Sequence, residues 1–182
     1  MDTIALFGGS FDPPHIGHEA VVRALKKFKD IDKIIIMPTF LNPFKSSFHA
    51  PAHLRVEWLK EIFCDDEDVV ISDFEVLQKR QVPTIETVEH LLESYKKIYL
   101  ILGADNLAKL HLWKSYDKLK NLVTFVVVSR ENIEIPKEFF TLHVAVNISS
   151  TQLREKMEIS KLPKKCATQI YNFYKENNCK TE

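Results

Sequence analysis

Two histidines three residues apart, His15 and His18, stand in the most glycine-dense stretch of the chain, Gly8-Gly9-Ser10-Phe11-Asp12-Pro13-Pro14-His15-Ile16-Gly17-His18. Three of the four glycines in 182 residues fall there. A chain so sparing with glycine is expected to place it at positive φ, or where a ligand or another backbone must come close. The apolar run Ile4-Ala5-Leu6-Phe7 reads as a buried strand leading into the turn, and a helical stripe begins near Gly17. Strand end, glycine turn and helix start together present backbone N–H groups to an anion. Imidazoles at positions 15 and 18 would face that anion from one side, donating to phosphoryl oxygens. The same i, i+3 spacing suits zinc, but Asp12 alone is a poor third ligand, so no metal site is assigned. The other histidines, His49, His53, His90, His111 and His143, are scattered and read as structural or surface groups.

Two further clusters have chemical content. In Ile148-Ser149-Ser150-Thr151-Gln152-Leu153-Arg154, Ser149 and Gln152 have capping-box spacing, so a helix should begin there. Its first turn offers N–H groups and hydroxyls, and Arg154, one turn on, adds a planar fork for phosphate oxygens. Gly103-Ala104-Asp105-Asn106 follows a second apolar run and leads to Trp113, an indole on which a flat base could stack.

Alternating elements must position these groups. Strands are predicted at Ile34–Met37, Val69–Ile71, Ile98–Leu102, Leu122–Val128 and, more weakly, Leu142–Val146. Helical patterns run from Gly17 to Lys29 (Val21, Val22, Leu25 and Phe28 inward), from Ala52 to Phe63, after Pro83, around Leu107–Leu119, and from Pro163 to Asn177. Pro38 to Pro51 reads as a long loop, uncommon unless functional. The alternation implies one α/β domain over residues 1–182, a Rossmann-like, doubly wound, mostly parallel sheet with helices on both faces. Ligands of such sheets bind beyond the carboxyl ends of the strands, where both glycine clusters and the Ser149 cap fall.

Composition narrows the partners. Basic and acidic residues balance at twenty-five each, which gives no global case for a nucleic acid polymer or an anionic membrane. Cys64, Cys166 and Cys179 form no C-x-x-C pair, arguing against a disulfide scaffold or zinc site and for a reducing cytoplasm. No apolar run approaches the ~20 residues of a membrane span.

The first segment resembles the G-x-F-D-P-x-H-x-G-H signature of the HIGH-motif nucleotidylyltransferase superfamily, matching at Gly9, Phe11, Asp12, Pro13, His15, Gly17 and His18. Residues 148–154 are similar to its I-S-S-T-x-[IL]-R motif. Class I aminoacyl-tRNA synthetases share the HIGH signature, but a K-M-S-K-S loop is absent here. Gly103-Ala104-Asp105 with Trp113 resembles the G-A-D…W element of bacterial nicotinate-nucleotide adenylyltransferases. Glu75, Arg80, Thr84, Thr87 and Val126-Val127-Val128-Ser129-Arg130 agree with that family.

The resemblance implies adenylyl transfer from ATP to nicotinate mononucleotide, with Mg2+ accompanying ATP mainly through phosphates and water. It places Gly9, Ser10, Phe11, His15, Gly17, His18, Ser149, Ser150, Thr151 and Arg154 around ATP, with His15, His18, Lys45 and Arg154 catalytic. Lys45, Thr84, Gly103, Asp105, Trp113 and Arg130 are implied around the mononucleotide. Two segments depart from the family pattern: Pro43-Phe44-Lys45 replaces P-H-K, and Val82-Pro83-Thr84 replaces S-Y-T. Alternatives are a nicotinamide-mononucleotide or phosphopantetheine adenylyltransferase, or a nucleotide-binding module without turnover. Oligomeric state is not legible in the sequence.

Overall fold

Alternation along the first strand sets the layout. In the computed structural model, which describes residues 2–42, 47–129, 133–146 and 148–178, β1 (Thr3–Gly9) sends Ile4 and Leu6 to one face of a sheet and Ala5 and Phe7 to the other. It lies between β2 (Lys33–Pro38) and β4 (Lys97–Gly103) in a six-stranded sheet of order β3-β2-β1-β4-β5-β6, every neighbouring pair parallel. The remaining strands are β3 (Val69–Ile71), β5 (Thr124–Val128) and β6 (Phe140–Leu142). Chain direction across the sheet reverses between β1 and β4, the switch point of a doubly wound fold. Phe7 is level with Ile101, so Gly9 and Gly103 end adjacent strands at the same height.

Each face has its own core. Ala5, Phe7, Ile34, Ile36, Ile101 and Val126 pack under α1 (Ile16–Leu25), α2 (Ala52–Ile62), α6 (Ser150–Glu155) and α7 (Ala167–Asn178). Ile4, Leu6, Ile35, Met37, Leu100 and Val127 pack under α4 (Thr84–Leu92), a 3-10 helix over Ala104–Leu112 and α5 (Tyr116–Leu122). A short α3 (Phe74–Leu77) precedes α4. The HIGH-like loop and the Ser149 cap therefore belong to one face, and the Thr84 and Trp113 segments to the other.

Several expected boundaries shift. The first helix stops at Leu25, and Phe28, expected inward, is 41% exposed in the turn that follows. The stretch around Leu107–Leu119 is two elements, because Ala104, Leu107, Leu110 and Trp113 recur every third residue, the stripe of a 3-10 helix. Ser115, in the left-handed region at φ 55°, separates it from α5. β5 begins only at Thr124, Leu122 being the last residue of α5. The weak strand ends at Leu142, opposite the last residue of β5, so residues 143–146 have no strand to pair with. α7 begins at Ala167 rather than Pro163.

Candidate active site

No glycine here has positive φ; the left-handed residue in the HIGH-like turn is Phe11, at φ 49°. Glycine serves close approach instead. A Cβ on Gly9 would lie 3.2 Å from the Phe11 ring, and one on Gly17 would lie 2.9 Å from His15 Cε1 and Nδ1. A Cβ on Gly103 would overlap the Asp105 carboxylate, while one on Gly8 would meet nothing nearer than 3.9 Å. The vacancy at Gly17 lets the buried His15 ring stack on His18, centroids 3.7 Å apart and planes 23° off parallel. Phe11 meets the His18 ring edge to face at 4.8 Å. The His15 backbone N–H donates to His18 Nδ1 at 3.1 Å. Neutral His18 therefore carries its proton on Nε2. Gly17→Ala should displace the His15 ring and lower kcat/KM for ATP about tenfold, the size expected for a misplaced catalytic group. Unchanged steady-state kinetics with ATP varied would contradict this.

Asp12 anchors the turn. Its carboxylate, 2% exposed, accepts the backbone N–H groups of His49 and Ala50, both at 2.9 Å, and the Tyr174 hydroxyl. Burial alone would raise its pKa, but these donors and the Arg55 charge outweigh burial and hold it below the ordinary carboxylate range. Arg55, equally buried, donates to the carbonyls of Ala50 (3.0 Å), Phe40 (3.1 Å) and Ser10. One guanidinium thus ties the β1 turn to both ends of the segment that follows β2, whose Phe40 and Phe48 rings meet edge to face at 6.1 Å.

The second motif docks on the first. Ser149 caps α6 reciprocally with Gln152, each bond 3.2 Å, as its spacing predicted. Ser150 Oγ donates to the Pro13 carbonyl at 2.8 Å. Arg154 donates to the Asp12 carbonyl and, at 3.2 Å, to Thr151 Oγ1. Bonds spanning 137 and 142 residues so bring Gly9, Ser10, Phe11, His15, Gly17 and His18 to one edge with Ser149, Ser150, Thr151 and Arg154. Lys45 and Arg130 lie outside the described residues, as do Pro43 and Phe44.

Across the switch point, Asp105 lies against Gly103 at the end of β4, and Asn106 Nδ2 donates to the Gly103 carbonyl at 3.2 Å. Trp113 ends the 3-10 helix, half-buried against the second core, its Nε1 buried and without a hydrogen-bond partner among the described residues. Thr84 opens α4. Glu86 joins these two segments, bonding Lys114 at 3.2 Å and Arg80 at 2.8 Å.

Beneath them Glu75 is buried, and Thr87 Oγ1 donates to its carboxylate at 2.6 Å. Burial raises its pKa to about 7, only partly offset by the Thr87 bond. The unfolded chain, titrating near 4.5, holds fewer protons than the native state between those values. Stability from this group is thus complete below pH 4.5 and lost as pH rises through 7. The full shift is worth about 3 kcal/mol, of which local opening of the α3–α4 contact should leave about 2 kcal/mol observable. Glu75→Gln should remove this pH dependence. Denaturant melts of both proteins at pH 4.5 and 8 check it, and parallel profiles would overturn it.

Among the described residues, no group of three or more His, Cys, Asp or Glu is arranged so that it could hold a metal ion. The Asp12 carboxylate is engaged by three donors within the fold. Sequence reasoning missed Arg55 and Tyr174. The available signal for Arg55 was its position four residues before Leu59, on the apolar stripe of α2.

Residues 6–156 match the model of the cytidylyltransferase-like family. A Sulfurimonas denitrificans protein named "Probable nicotinate-nucleotide adenylyltransferase" is 74% identical over the whole of both chains. A Campylobacter jejuni protein of the same name is 47% identical, covering 95% of this chain and 97% of its own. Among solved structures, the Plasmodium falciparum nicotinic acid mononucleotide adenylyltransferase complexed with NaAD aligns with a TM-score of 0.78 over 98% of this chain and 97% of that one. At 21% identity, that likeness speaks to the fold alone. Family model and relatives agree with the two motifs that meet at the end of β1, and the chain belongs to the cytidylyltransferase-like superfamily, in its nicotinate-nucleotide adenylyltransferase family.

Proposed function

We propose that this protein transfers the adenylyl group of ATP to the phosphate of nicotinate mononucleotide, giving nicotinate adenine dinucleotide and pyrophosphate in NAD biosynthesis. One observation carries the reading: two half-sites, built on opposite faces of the sheet, end level with each other at Gly9 and Gly103. A donor nucleotide on the first and an acceptor on the second place a phosphate oxygen and an α-phosphorus within reach of each other.

The acceptor phosphate is already ionised, so no general base is required. Its oxygen attacks the α-phosphorus in line, the bond from that phosphorus to the oxygen bridging to β breaks, and pyrophosphate leaves. Alignment and charge stabilisation then supply the catalysis. His18 offers its Nε2–H to an α-phosphate oxygen, with His15 stacked behind it. The first turns of α1 and α6, with Ser149, Ser150, Thr151 and Arg154, hold the triphosphate, and Lys45 neutralises phosphate charge. Asp105, Thr84, Trp113 and Arg130 receive the mononucleotide. Magnesium would accompany ATP, carried mainly by phosphate oxygens and water, and would neutralise charge on the triphosphate that Ser149, Ser150, Thr151 and Arg154 receive. The described residues contain no helix long and apolar enough to cross a membrane, and we place the reaction in the cytoplasm.

Pyrophosphate release measured side by side with nicotinate mononucleotide, nicotinamide mononucleotide and phosphopantetheine tests the assignment. Preference for the first is expected. Preference for either of the others moves the protein to that sister activity, and no release with any of them leaves a binding module.

A further inference from the structure

A hydroxyl on the terminal helix hydrogen-bonds to the HIGH-like loop. Tyr174 on α7 is 1% exposed, packed beside Trp58 and Phe173 with ring centroids 6.2 and 5.2 Å away. A phenylalanine would pack there as well. The hydroxyl instead donates to Asp12 Oδ1, 162 residues away in sequence. Burial and the Asp12 charge push the phenol far above its ordinary range, so it remains a donor wherever the protein is folded. The same oxygen of Asp12 accepts the Ala50 N–H, and the other accepts the His49 N–H. The Asp12 main-chain carbonyl receives Arg154. Asp12 is thus where α7, the HIGH-like turn, the segment after β2 and the α6 arginine all meet.

Resting on the adenylyl-transfer reading, we infer that Tyr174 is a positioning residue, acting through Asp12 to fix the loop that carries His15 and His18 and to set where Arg154 stands. It lies in the core behind the loop and touches neither proposed substrate pocket. Without its donor, the carboxylate keeps the N–H groups of residues 49–50 and the Arg55 charge but loses its tie to α7, and the turn is held less firmly.

Tyr174→Phe keeps the ring and removes the bond. Assayed at 25 °C, below its melting temperature, it should lose about tenfold in kcat, as for a slightly misplaced catalytic group, while KM for nicotinate mononucleotide stays within twofold. Because the effect passes through the Asp12 carboxylate, the Asp12→Ala, Tyr174→Phe double variant, in which no acceptor is left for the hydroxyl, should be no slower than Asp12→Ala alone. Hydrogen exchange should quicken in peptides spanning residues 8–15 and 47–52 but not in 97–113. A kcat within twofold of the parent, losses that multiply in the double variant, or exchange that is unchanged or faster everywhere would each overturn the inference. The exchange arm does not depend on turnover. If the parent protein released no pyrophosphate with any acceptor, the functional reading would fall while the coupling between Tyr174 and the loop was still decided.

Discussion

His18→Ala is expected to lower kcat by two to three orders of magnitude, the cost of removing one donor aimed at developing charge. The direction of that donor is fixed by the backbone. His18 Nδ1 accepts the His15 N–H, which leaves the Nε2–H pointing away from the helix end. The ring packs on His15 at 3.7 Å and against Phe11 at 4.8 Å, so little is spent on orienting it when ATP arrives. His18 also caps α1, and a structural role must be separated from a chemical one. His18→Asn does this, because its side-chain oxygen can still accept the His15 N–H while nothing replaces Nε2. It should therefore be nearly as slow as alanine while melting close to the parent. Steady-state pyrophosphate release and thermal melts of both variants check this. Recovery of turnover in the asparagine variant would reduce His18 to a cap, and near-parental kcat in alanine would remove it from the chemistry.

What made this residue legible was local. Strand, turn and helix start are consecutive in the chain, and the apolar runs that became β1, β2, β4 and β5 were continuous because both faces of the sheet are covered. What Arg55 and Tyr174 hold was illegible for the opposite reason, although the place of Arg55 on the apolar stripe of α2 was not. Their partners, Ser10 and Asp12, lie 45 and 162 residues away, and no spacing rule reaches that far. The glycines were read correctly as special but for a cause the structure narrows: none needs positive φ, and three of the four make room for a neighbouring side chain. Periodicity misled where helix type changed, since spacing by three at Ala104, Leu107, Leu110 and Trp113 differs little from spacing by 3.6 over so short a stretch. That misreading matters, because the 3-10 winding is what brings Trp113 to the end of its element and against the second core.

Trp113→Ala should consequently raise KM for nicotinate mononucleotide about a hundredfold and leave KM for ATP within about threefold. The pyridine ring of that substrate carries positive charge on its glycosylated nitrogen. Stacked on the Trp113 indole, it would gain a cation–π attraction of about 2 kcal/mol or more, besides stacking. Asp105→Ala should act in the same direction more weakly, since its carboxylate is exposed at the strand end beside Gly103. Trp113 also packs against the second core, so its loss has a structural component. The two contributions separate by substrate: a loosened core would disturb both half-sites, whereas a lost platform disturbs one. Trp113→Phe keeps a stacking face but surrenders the indole N–H, and it should fall between parent and alanine. Titrating each substrate at saturating levels of the other checks the split. If KM for ATP and for the mononucleotide rise together in Trp113→Ala, the indole is only a wall of the core, and the acceptor pocket must be sought elsewhere along the carboxyl edge of the sheet.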